Sequence, residues 1–177
     1  MPEVEIRPAV ATDIKTLITL EHSTETDYVW QVDVRRETGQ AEALFREVRL
    51  PRSVPVIYPR STDKLVDEWS KSGMLVAVIG GQLAGYVRIS DQMVPGTAWI
   101  TDVVVARRYR RKGIGSMLVL SAQQWATQRG NRRMVIEMQS KNHPCIRMGQ
   151  KLGYEFCGYN DQYYATRDVA LFFGKML

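Results

Sequence analysis

Residues 103–118 read VVVARRYRRKGIGSML and join an apolar, β-rich run to an amphipathic helix. Five of the six residues 107–112 are arginine or lysine, and two glycines follow them. A strand, a helix and a second strand in immediate succession form a right-handed crossover with parallel strands. We therefore expect the strands near 98–105 and 133–139 to be parallel, with the basic loop between a strand end and a helix start.

A loop in this position has a definite chemistry. The first amides of a helix lack partners within it, and the helix dipole adds partial positive charge there. Glycines let the backbone approach a ligand closely, so the amides from Arg111 to Ser116 predict a site for a phosphate or pyrophosphate. The segment lacks the third glycine of a dinucleotide fingerprint and the G-K-[ST] of a P-loop, which excludes both motifs.

Composition limits the class of protein. The 177 residues, 45 % hydrophobic and 24 % charged, are expected to form one domain spanning residues 1–177. No apolar stretch approaches the roughly 18–20 residues that span a bilayer, and MPEVEIRPAV does not resemble a secretory signal. We therefore expect a cytoplasmic protein with no membrane partner. Cys145 and Cys157 fit no metal spacing and are expected to be reduced, so no metal site is predicted.

The net charge of +5 comes from one loop. Without the five basic residues of 107–112, the chain has 19 basic and 19 acidic residues. Nucleic-acid grooves usually spread lysine and arginine over a face, with stacking aromatics between them, whereas only Tyr109 interrupts this cluster. We therefore predict no nucleic-acid partner, although binding through residues 107–112 is kept as an alternative to test.

The remaining elements follow from shorter signals. VEIRPA predicts a strand, followed by a helix from about Ala11 that Thr12 or Asp13 caps. Hairpins are predicted around Glu37–Gln40 and around the glycine pair 80–81, whereas SVPVIYP is expected to be a loop or an edge. STDKLVDEWSKSG predicts a short helix. NHPCIRMGQKLGY predicts the last helix, which follows Asn142, and YEFCGY and DVALFFGKML are expected to be closing strands.

The pattern Arg110-x-x-Gly113-x-Gly115, followed by Asn142 and KLGY beyond the next strand, resembles the GCN5-related N-acetyltransferase (GNAT) family. The resemblance covers about residues 74–160, which would be the acyl-CoA-binding core. It implies an α/β (mixed α+β) fold, with a central mixed sheet of about six to seven strands and about four helices. AWITDVVV, EMQSKN and GYEF are most similar to streptothricin acetyltransferases, and a weaker similarity is to ribosomal-protein N-terminal acetyltransferases.

The resemblance also implies which residues hold the co-substrate, acetyl-CoA. The main chain of Val103, Val104 and Val105 would bind the pantetheine arm, and Asn142 would reach it from the other side. The diphosphate would lie on the loop made of Arg110, Arg111, Lys112, Gly113, Ile114, Gly115 and Ser116. Arg107 and Arg108 are interpreted as ordinary surface charges.

The implied reaction is direct attack of a primary amine on the thioester. It needs a base, donors for the developing oxyanion and an acid for the departing thiolate. An amide of residues 103–105 is the expected oxyanion donor. The family commonly takes its acid from a tyrosine seven residues after the asparagine, where this chain has Gly149. A glycine within a helix costs about 1 kcal/mol relative to alanine. We therefore expect that another group either occupies the space of the missing side chain or requires this space to be open.

Other residues are candidates for the missing roles. Tyr159, Tyr163 and Tyr164 are alternative acids, as is water, and we do not choose among them; Tyr154 is interpreted as a core residue. Candidate bases are Asp102 on the strand beside the thioester and Glu137 on the strand opposite. The acidic segment with Glu21, Glu25 and Asp27 is expected to line the acceptor pocket and to attract a cationic amine. His22 and His143 are interpreted as capping or packing residues.

These observations favour an N-acetyltransferase acting on a small cationic molecule such as a streptothricin-like antibiotic. One alternative modifies a protein N-terminus or a lysine and would need an open groove. Another, of a different class, is a non-catalytic acyl-CoA-binding module, which the glycine at 149 makes worth testing. The sequence leaves the oligomeric state open, including a homodimer.

Overall fold

The protein was analysed as a computed structural model that describes residues 3–177. The strands are β1 Val4–Pro8, β2 Thr24–Glu37, β3 Gln40–Val56, β4 Gly73–Ile79, β5 Gln82–Val94, β6 Thr97–Val105, β7 Arg133–Gln139, β8 Glu155–Asn160 and β9 Ala170–Met176. The helices are α1 Ala11–Leu17, α2 Lys64–Glu68, α3 Ile114–Gln128 and α4 His143–Lys151, with a 3₁₀ turn at Arg107–Tyr109. Within the described residues, no helix is long and apolar enough to cross a bilayer.

Seven strands form one mixed sheet in the order β1-β4-β5-β6-β7-β9-β8. Only β6 and β7 are parallel neighbours among these strands, and α3 connects them, as the crossover predicts. One face of α3 is buried against the sheet through Ile114, Leu118, Val119, Ala122 and Ala126. The seven strands of this sheet and the four α-helices of the described chain confirm the predicted fold class.

The strands β6 and β7 separate halfway along their length. Their pairing runs from Thr97–Arg133 to Ile100–Ile136, whereas β6 continues to pair with β5 as far as Val105. The β5–β6 register shifts between the Ile89–Ile100 and Arg88–Asp102 pairs, so a β-bulge lies at Thr101. A wedge therefore opens between β6 and β7 beyond residue 100.

The bulge also exchanges the faces of β6. Ile100 packs in the core cluster that contains Ile114 and Leu118 of α3. Val104, four residues later, packs in the separate cluster with Leu17 of α1 and Leu65 of α2. Because alternate residues of a strand share a face, Asp102 lies on the same side of the sheet as Val104. Side chains from both faces of the sheet therefore line the wedge.

The strands β2 and β3 form a separate antiparallel hairpin that turns between Glu37 and Gln40, as predicted. Its inner face packs onto the main sheet, where the Trp30 ring lies 5.6 Å from that of Phe173 and the Phe45 ring 4.8 Å from that of Phe156. Residues 53–56, within the stretch expected to be a loop or an edge, continue β3, and Val54, Pro55 and Val56 pair with β2. Only residues after Val56 leave the hairpin, and they pass over the wedge.

The first helix is held at its start by a carboxylate, as the sequence predicts. The backbone N–H of Val10 donates to Asp13 Oδ2 at 2.9 Å, which satisfies one of the free amides at this helix end. The same carboxylate forms a two-pronged ion pair with Arg7 of β1. This arrangement fixes α1 against β1, and the loop after α1 then reaches the mouth of the wedge.

Candidate active site

The wedge between β6 and β7 contains a cavity of about 60 Å³. It is lined by side chains from both strands, from the hairpin and its following loop, and from the start of α4. The lining residues are His22, Thr24, Val56, Tyr58, Pro59, Arg60, Thr101, Asp102, Val103, Val104, Glu137, Met138, Gln139, Asn142, Cys145 and Tyr164. The cavity therefore brings together both predicted bases, part of the predicted thioester strand and the predicted asparagine.

Asp102 lies at the centre of this cavity with its side chain only 1 % exposed. Its Oδ1 accepts a hydrogen bond from the hydroxyl of Tyr58 at 2.7 Å, and its Oδ2 accepts one from the hydroxyl of Thr101 at 3.1 Å. Burial, reinforced by the charge of Asp102, raises the pKa of Tyr58 above its ordinary range, so this hydroxyl stays protonated and donates. The carboxylate is thus held by fixed donors.

Arg60 connects Asp102 to Glu137, whose side chain is also 1 % exposed. One guanidinium nitrogen lies 3.4 Å from Asp102 and donates to the carbonyl of Thr101, and the other is paired directly with Glu137 Oε1. Burial disfavours the charged guanidinium, but the two carboxylates outweigh this effect and raise the pKa of Arg60. One positive charge therefore faces two negative charges at the mouth of the wedge.

The adjacent tyrosines of the β8–β9 loop meet the same carboxylate. The hydroxyl of Tyr163 donates to Glu137 Oε2 at 3.3 Å, and Tyr164 lines the cavity beneath the guanidinium of Arg60, 5.5 Å from the ring centroid. Burial, followed by the charge of Glu137, raises the pKa of each tyrosine. Both hydroxyls are protonated donors, and only Tyr164 of the two faces the cavity.

The basic loop takes the shape that an anion requires. Arg111 and Gly113 both have positive φ values, 64° and 83°, so the backbone curls before α3 begins. A Cβ at Gly113 would meet nothing within 4 Å, which leaves open space beside the helix start. Within the described residues, the amides from Arg111 to Ser116 donate to no protein acceptor, whereas Gly113 O already accepts from Met117. These amides are available for an anion.

The basic side chains of the loop point in two directions. Arg110 turns inward, where its Nε donates to the carbonyl of Val105 at 2.8 Å and a terminal nitrogen donates to the carbonyl of Glu21. Arg111 and Lys112 are exposed, and the Lys112 ammonium lies 5.8 Å from the ring centroid of Tyr109. Arg110 thus ties the loop to the end of β6. The side chains of Arg111 and Lys112 remain free to strengthen the binding of an anion.

Gly115 and Asn142 connect this loop to the wedge. A Cβ at Gly115 would lie 3.1 Å from the sulfur of Met148 and within 4 Å of the side chains of Val103 and Val105. The start of α3 therefore contacts the strand edge that lacks pairing with β7. Asn142 caps α4 by accepting from the N–H of Cys145 at 3.3 Å, and it lines the cavity from the opposite side.

Five of the residues predicted for catalysis or for acceptor binding do not line the cavity, and Tyr163, described above, is one of them. Glu25 and Asp27 are exposed on β2, since alternation turns Thr24 and buried Thr26 to the other face. The carboxylate of Glu21 accepts from the N–H of Ser23 and faces the groove beside α1. Tyr159 packs on Phe45 with ring centroids 4.9 Å apart.

The structure adds four residues that the sequence reasoning did not assign. Tyr58 and Arg60 follow the hairpin in a proline-rich stretch with no motif, and Tyr86 is one of several apolar residues of β5. His22, interpreted from sequence as a packing residue, contacts the hydroxyl of Tyr86 at 3.1 Å and lies beside Tyr58. No sequence signal marks these residues, because their contacts with one another and with Asp102 and Glu137 depend on tertiary structure.

Gly149, at the position where the family commonly has a tyrosine, is covered by core residues. A Cβ there would lie 3.7 Å from Met138 Cε and 3.9 Å from Tyr154 Cβ, which is ordinary van der Waals contact. We expect Gly149→Ala to raise the free energy of unfolding by up to about 1 kcal/mol, because alanine favours the helix and nothing opposes the methyl group. Urea denaturation measures this change, and a loss of stability would contradict the packing described.

Comparison with known proteins agrees with this geometry. Residues 41–154 match the model of the acetyltransferase (GNAT) family. The streptothricin acetyltransferase of Streptomyces lavendulae is 32 % identical over 166 residues, which cover 90 % of this chain and 86 % of that protein. The crystal structure of a nourseothricin acetyltransferase superposes with a TM-score of 0.83 at 26 % identity, covering 98 % of each chain.

A third comparison concerns the fold. A Bacillus anthracis protein solved in complex with acetyl coenzyme A superposes with a TM-score of 0.76 at 18 % identity, over 99 % of this chain and 100 % of that one. The family model covers more than half of the chain, and the Streptomyces relative covers nearly all of it. The resemblance inferred from the arginine–glycine loop is confirmed: the chain belongs to the GNAT family of acetyltransferases.

Proposed function

We propose that the protein transfers the acetyl group of acetyl-CoA to a primary amine of a small cationic molecule of the streptothricin type. The observation that carries the proposal is the pair of buried carboxylates, Asp102 and Glu137, where β6 and β7 separate. Buried carboxylates are costly unless they are paired with positive charge. Arg60 supplies one positive charge for two negative ones, and a cationic amine would supply the second.

The loop before α3 is suited to the diphosphate of acetyl-CoA. Its free amides from Arg111 to Ser116, the open space at Gly113 and the exposed Lys112 together match an anionic group. The pantetheine arm would follow residues 103–105 on the unpaired edge of β6, with Asn142 opposite. Acetyl-CoA supplies an activated acyl group, and the remaining chemistry belongs to the chain's own residues.

Asp102 is the base in this proposal, and Glu137 holds the acceptor. Arg60 is paired directly with Glu137 but lies 3.4 Å from Asp102, so the negative charge of Asp102 is the less compensated of the two. The ammonium gives its proton to Asp102 before attack. A main-chain N–H of residues 103–105 stabilises the developing oxyanion.

Tyr164 is the acid in this proposal. It is the candidate tyrosine that lines the cavity, whereas Tyr163 is turned toward Glu137 and Tyr159 is packed on the hairpin. Its raised pKa keeps the hydroxyl protonated until the thiolate departs, and the Tyr164 oxygen then takes the second N–H proton of the attacking amine. Tyr164 thus donates the proton that a tyrosine at position 149 commonly donates in the family.

Two relatives support the acceptor class. The Streptomyces lavendulae protein is named as an acetyltransferase of streptothricin, and the solved structure as one of nourseothricin. The small volume of the cavity, about 60 Å³, also favours a single amine group entering the wedge over a bulky peptide segment. An antibiotic-inactivating role for this chain follows from the same proposal.

The direct test is release of free thiol from acetyl-CoA with a panel of amines: a streptothricin, a polyamine and a short peptide with a free N-terminus. We expect turnover to be fastest with the streptothricin and, at low concentrations of the amine, to fall with Glu137→Gln. Glu155→Gln, on the exposed face of β8, is the matched control and should behave as wild type. Faster turnover of the peptide would favour the protein-modifying alternative, and no turnover with any amine would favour the binding module.

A further inference from the structure

The side chain of Gln139 joins two loops that border the wedge. Gln139 is the last residue of β7, is buried, and lines the cavity, as Glu137 does two residues earlier on the same face of the strand. Its Nε2 donates to the carbonyl oxygen of Ile57 at 3.2 Å and to Oδ2 of Asp168 at 3.0 Å. The first partner belongs to the β3–α2 loop and the second to the β8–β9 loop, so one amide group connects segments that are far apart in sequence.

Both partners of this amide can only accept hydrogen bonds. Burial disfavours the charge of Asp168, but hydrogen bonds from Lys141 and Thr166 outweigh burial and lower the pKa of this carboxyl. Asp168 is therefore a carboxylate at neutral pH, and the other partner is a main-chain carbonyl. The nitrogen of the amide, which carries two hydrogens, must face them both, so the orientation of the Gln139 side chain is fixed.

We propose that Gln139 is a positioning residue that holds the base and the acid of the reaction at a fixed distance from each other. The inference rests on the proposed function, in which Asp102 is the base and Tyr164 is the acid. Both groups must reach the same amine and thioester, so a displacement of one relative to the other lowers the rate of the chemical step. Gln139 acts through the two loops and needs no contact of its own with the reacting atoms.

The contact on the side of the base is the one with Ile57. The next residue, Tyr58, donates from its hydroxyl to Asp102 at 2.7 Å, so the position of the loop sets the position of this donor. The N–H of Tyr58 donates to Ser23 Oγ at 3.4 Å, a longer distance than the 3.2 Å between Gln139 and the Ile57 carbonyl. Gln139 therefore supplies the closer of these two main-chain hydrogen bonds.

The contact on the side of the acid is the one with Asp168. Tyr164 lies four residues earlier in the same loop, is buried, and lines the cavity. Its carbonyl oxygen accepts from the N–H of Arg167 at 2.8 Å, which closes a turn that ends directly before Asp168. Because this turn joins the anchored carboxylate to the tyrosine, the hydrogen bond from Gln139 to Asp168 also fixes Tyr164.

The test uses Gln139→Met, which keeps the length of the side chain and removes both hydrogen bonds. We expect kcat to fall roughly 10–100-fold, the cost of a displacement of about 1 Å, while the affinity for CoA stays at its wild-type value. Gln123→Met is the matched control, because Gln123 also donates from its Nε2, to the hydroxyl of Tyr154 in the core at 2.9 Å. Wild-type kcat in Gln139→Met, an equal loss in the control, or weaker binding of CoA in place of a lower kcat would overturn the proposal.

A second pair of variants separates the hydrogen bond from the ion pair at the same carboxylate. Asp168→Ala removes both, and we expect it to lower kcat as Gln139→Met does. Lys141→Met removes only the ion pair and should keep the wild-type kcat. Asp168 lies in a loop and is only half-buried, so this pair decides the matter even if Gln139→Met fails to fold. Equal values of kcat for Asp168→Ala and Lys141→Met would overturn the role of Gln139.

Limited proteolysis with trypsin tests the same contacts without any acetyl transfer. Arg60 and Arg167 lie in the two linked loops, and cleavage after either one requires local opening of the chain. We expect both sites to be cut faster in Gln139→Met than in Gln123→Met, as mass spectrometry of the fragments measures. Unchanged cleavage at both sites would overturn the positioning role even in an active enzyme. Absence of turnover by the wild type would instead overturn the proposed function, on which the inference rests, and leave the link between the loops standing.

Discussion

Asp102→Asn is expected to lower kcat at pH 7 by about 10²–10³-fold, the usual contribution of a positioned base. The asparagine keeps an oxygen for the hydroxyl of Tyr58, and Arg60 keeps its pairing with Glu137, so the fold of the wedge is retained. What is lost is the carboxylate that accepts the proton of the amine. Steady-state kinetics with a streptothricin as acceptor measures the effect.

The affinity for CoA provides the control in the same variant. Asp102 lies on the α1 and α2 side of β6, whereas Val103 and Val105 lie toward the start of α3. CoA should therefore bind Asp102→Asn as tightly as it binds wild type. Glu137→Gln should instead raise KM for the amine more than it lowers kcat. Equal effects of the two changes on kcat would contradict the division of roles proposed here.

Gly85→Ala is expected to destabilise the protein and to abolish CoA binding together. A Cβ at Gly85 would lie 2.3 Å from the carbonyl oxygen of Val104 and 3.0 Å from the Cα of Val105, both of them backbone atoms of β6. The strand must move away, at a cost of roughly 1–3 kcal/mol for an overpacked site. Because the same residues form the predicted thioester strand, the displacement reaches the site directly.

Urea denaturation and CoA titration of Gly85→Ala test this prediction, with Gly149→Ala as the matched control. Both changes add one methyl group to a glycine whose backbone suits any residue, but only Gly85 faces a backbone atom at short range. We expect the control to retain CoA binding. A Gly85→Ala protein with wild-type stability and wild-type CoA affinity would contradict the close approach of β5 and β6.

The fold was predictable where local signals agree with one another. The helix after Gly113 has regular apolar spacing, its ends have glycines with positive φ, and apolar runs flank it, so the crossover followed from sequence. The two hairpins were marked by Gly39 and by the glycine pair 80–81. In each case a residue's intrinsic conformational preference agrees with its tertiary role.

The bulge at Thr101 was not predictable in the same way. The segment TAWITDVVV is compatible with either face pointing inward, so a register shift leaves no trace in its apolar pattern. The shift places Asp102 beside the loop that follows the hairpin, where it meets Tyr58. Similarly, alternation along β2 turns Glu25 and Asp27 outward, and counting acidic residues could not reveal it.

Arg60 shows why part of the site needed the structure. Its partners Asp102 and Glu137 are 42 and 77 positions away in sequence, and it belongs to no motif. The contact between His22 and Tyr86 likewise joins residues 64 positions apart. Contacts of this range are set by the packing of the whole domain, which residue spacing does not encode.

Calorimetric titration with CoA and with pantetheine, which lacks the diphosphate, tests the central claim most directly. The free amides of Arg111 to Ser116 predict that CoA binds and that pantetheine binds at least about 100-fold more weakly, since hydrogen bonds to charged groups contribute roughly 1.5–3 kcal/mol each. Equal affinities for the two compounds, or no heat with CoA, would contradict a diphosphate site at the start of α3.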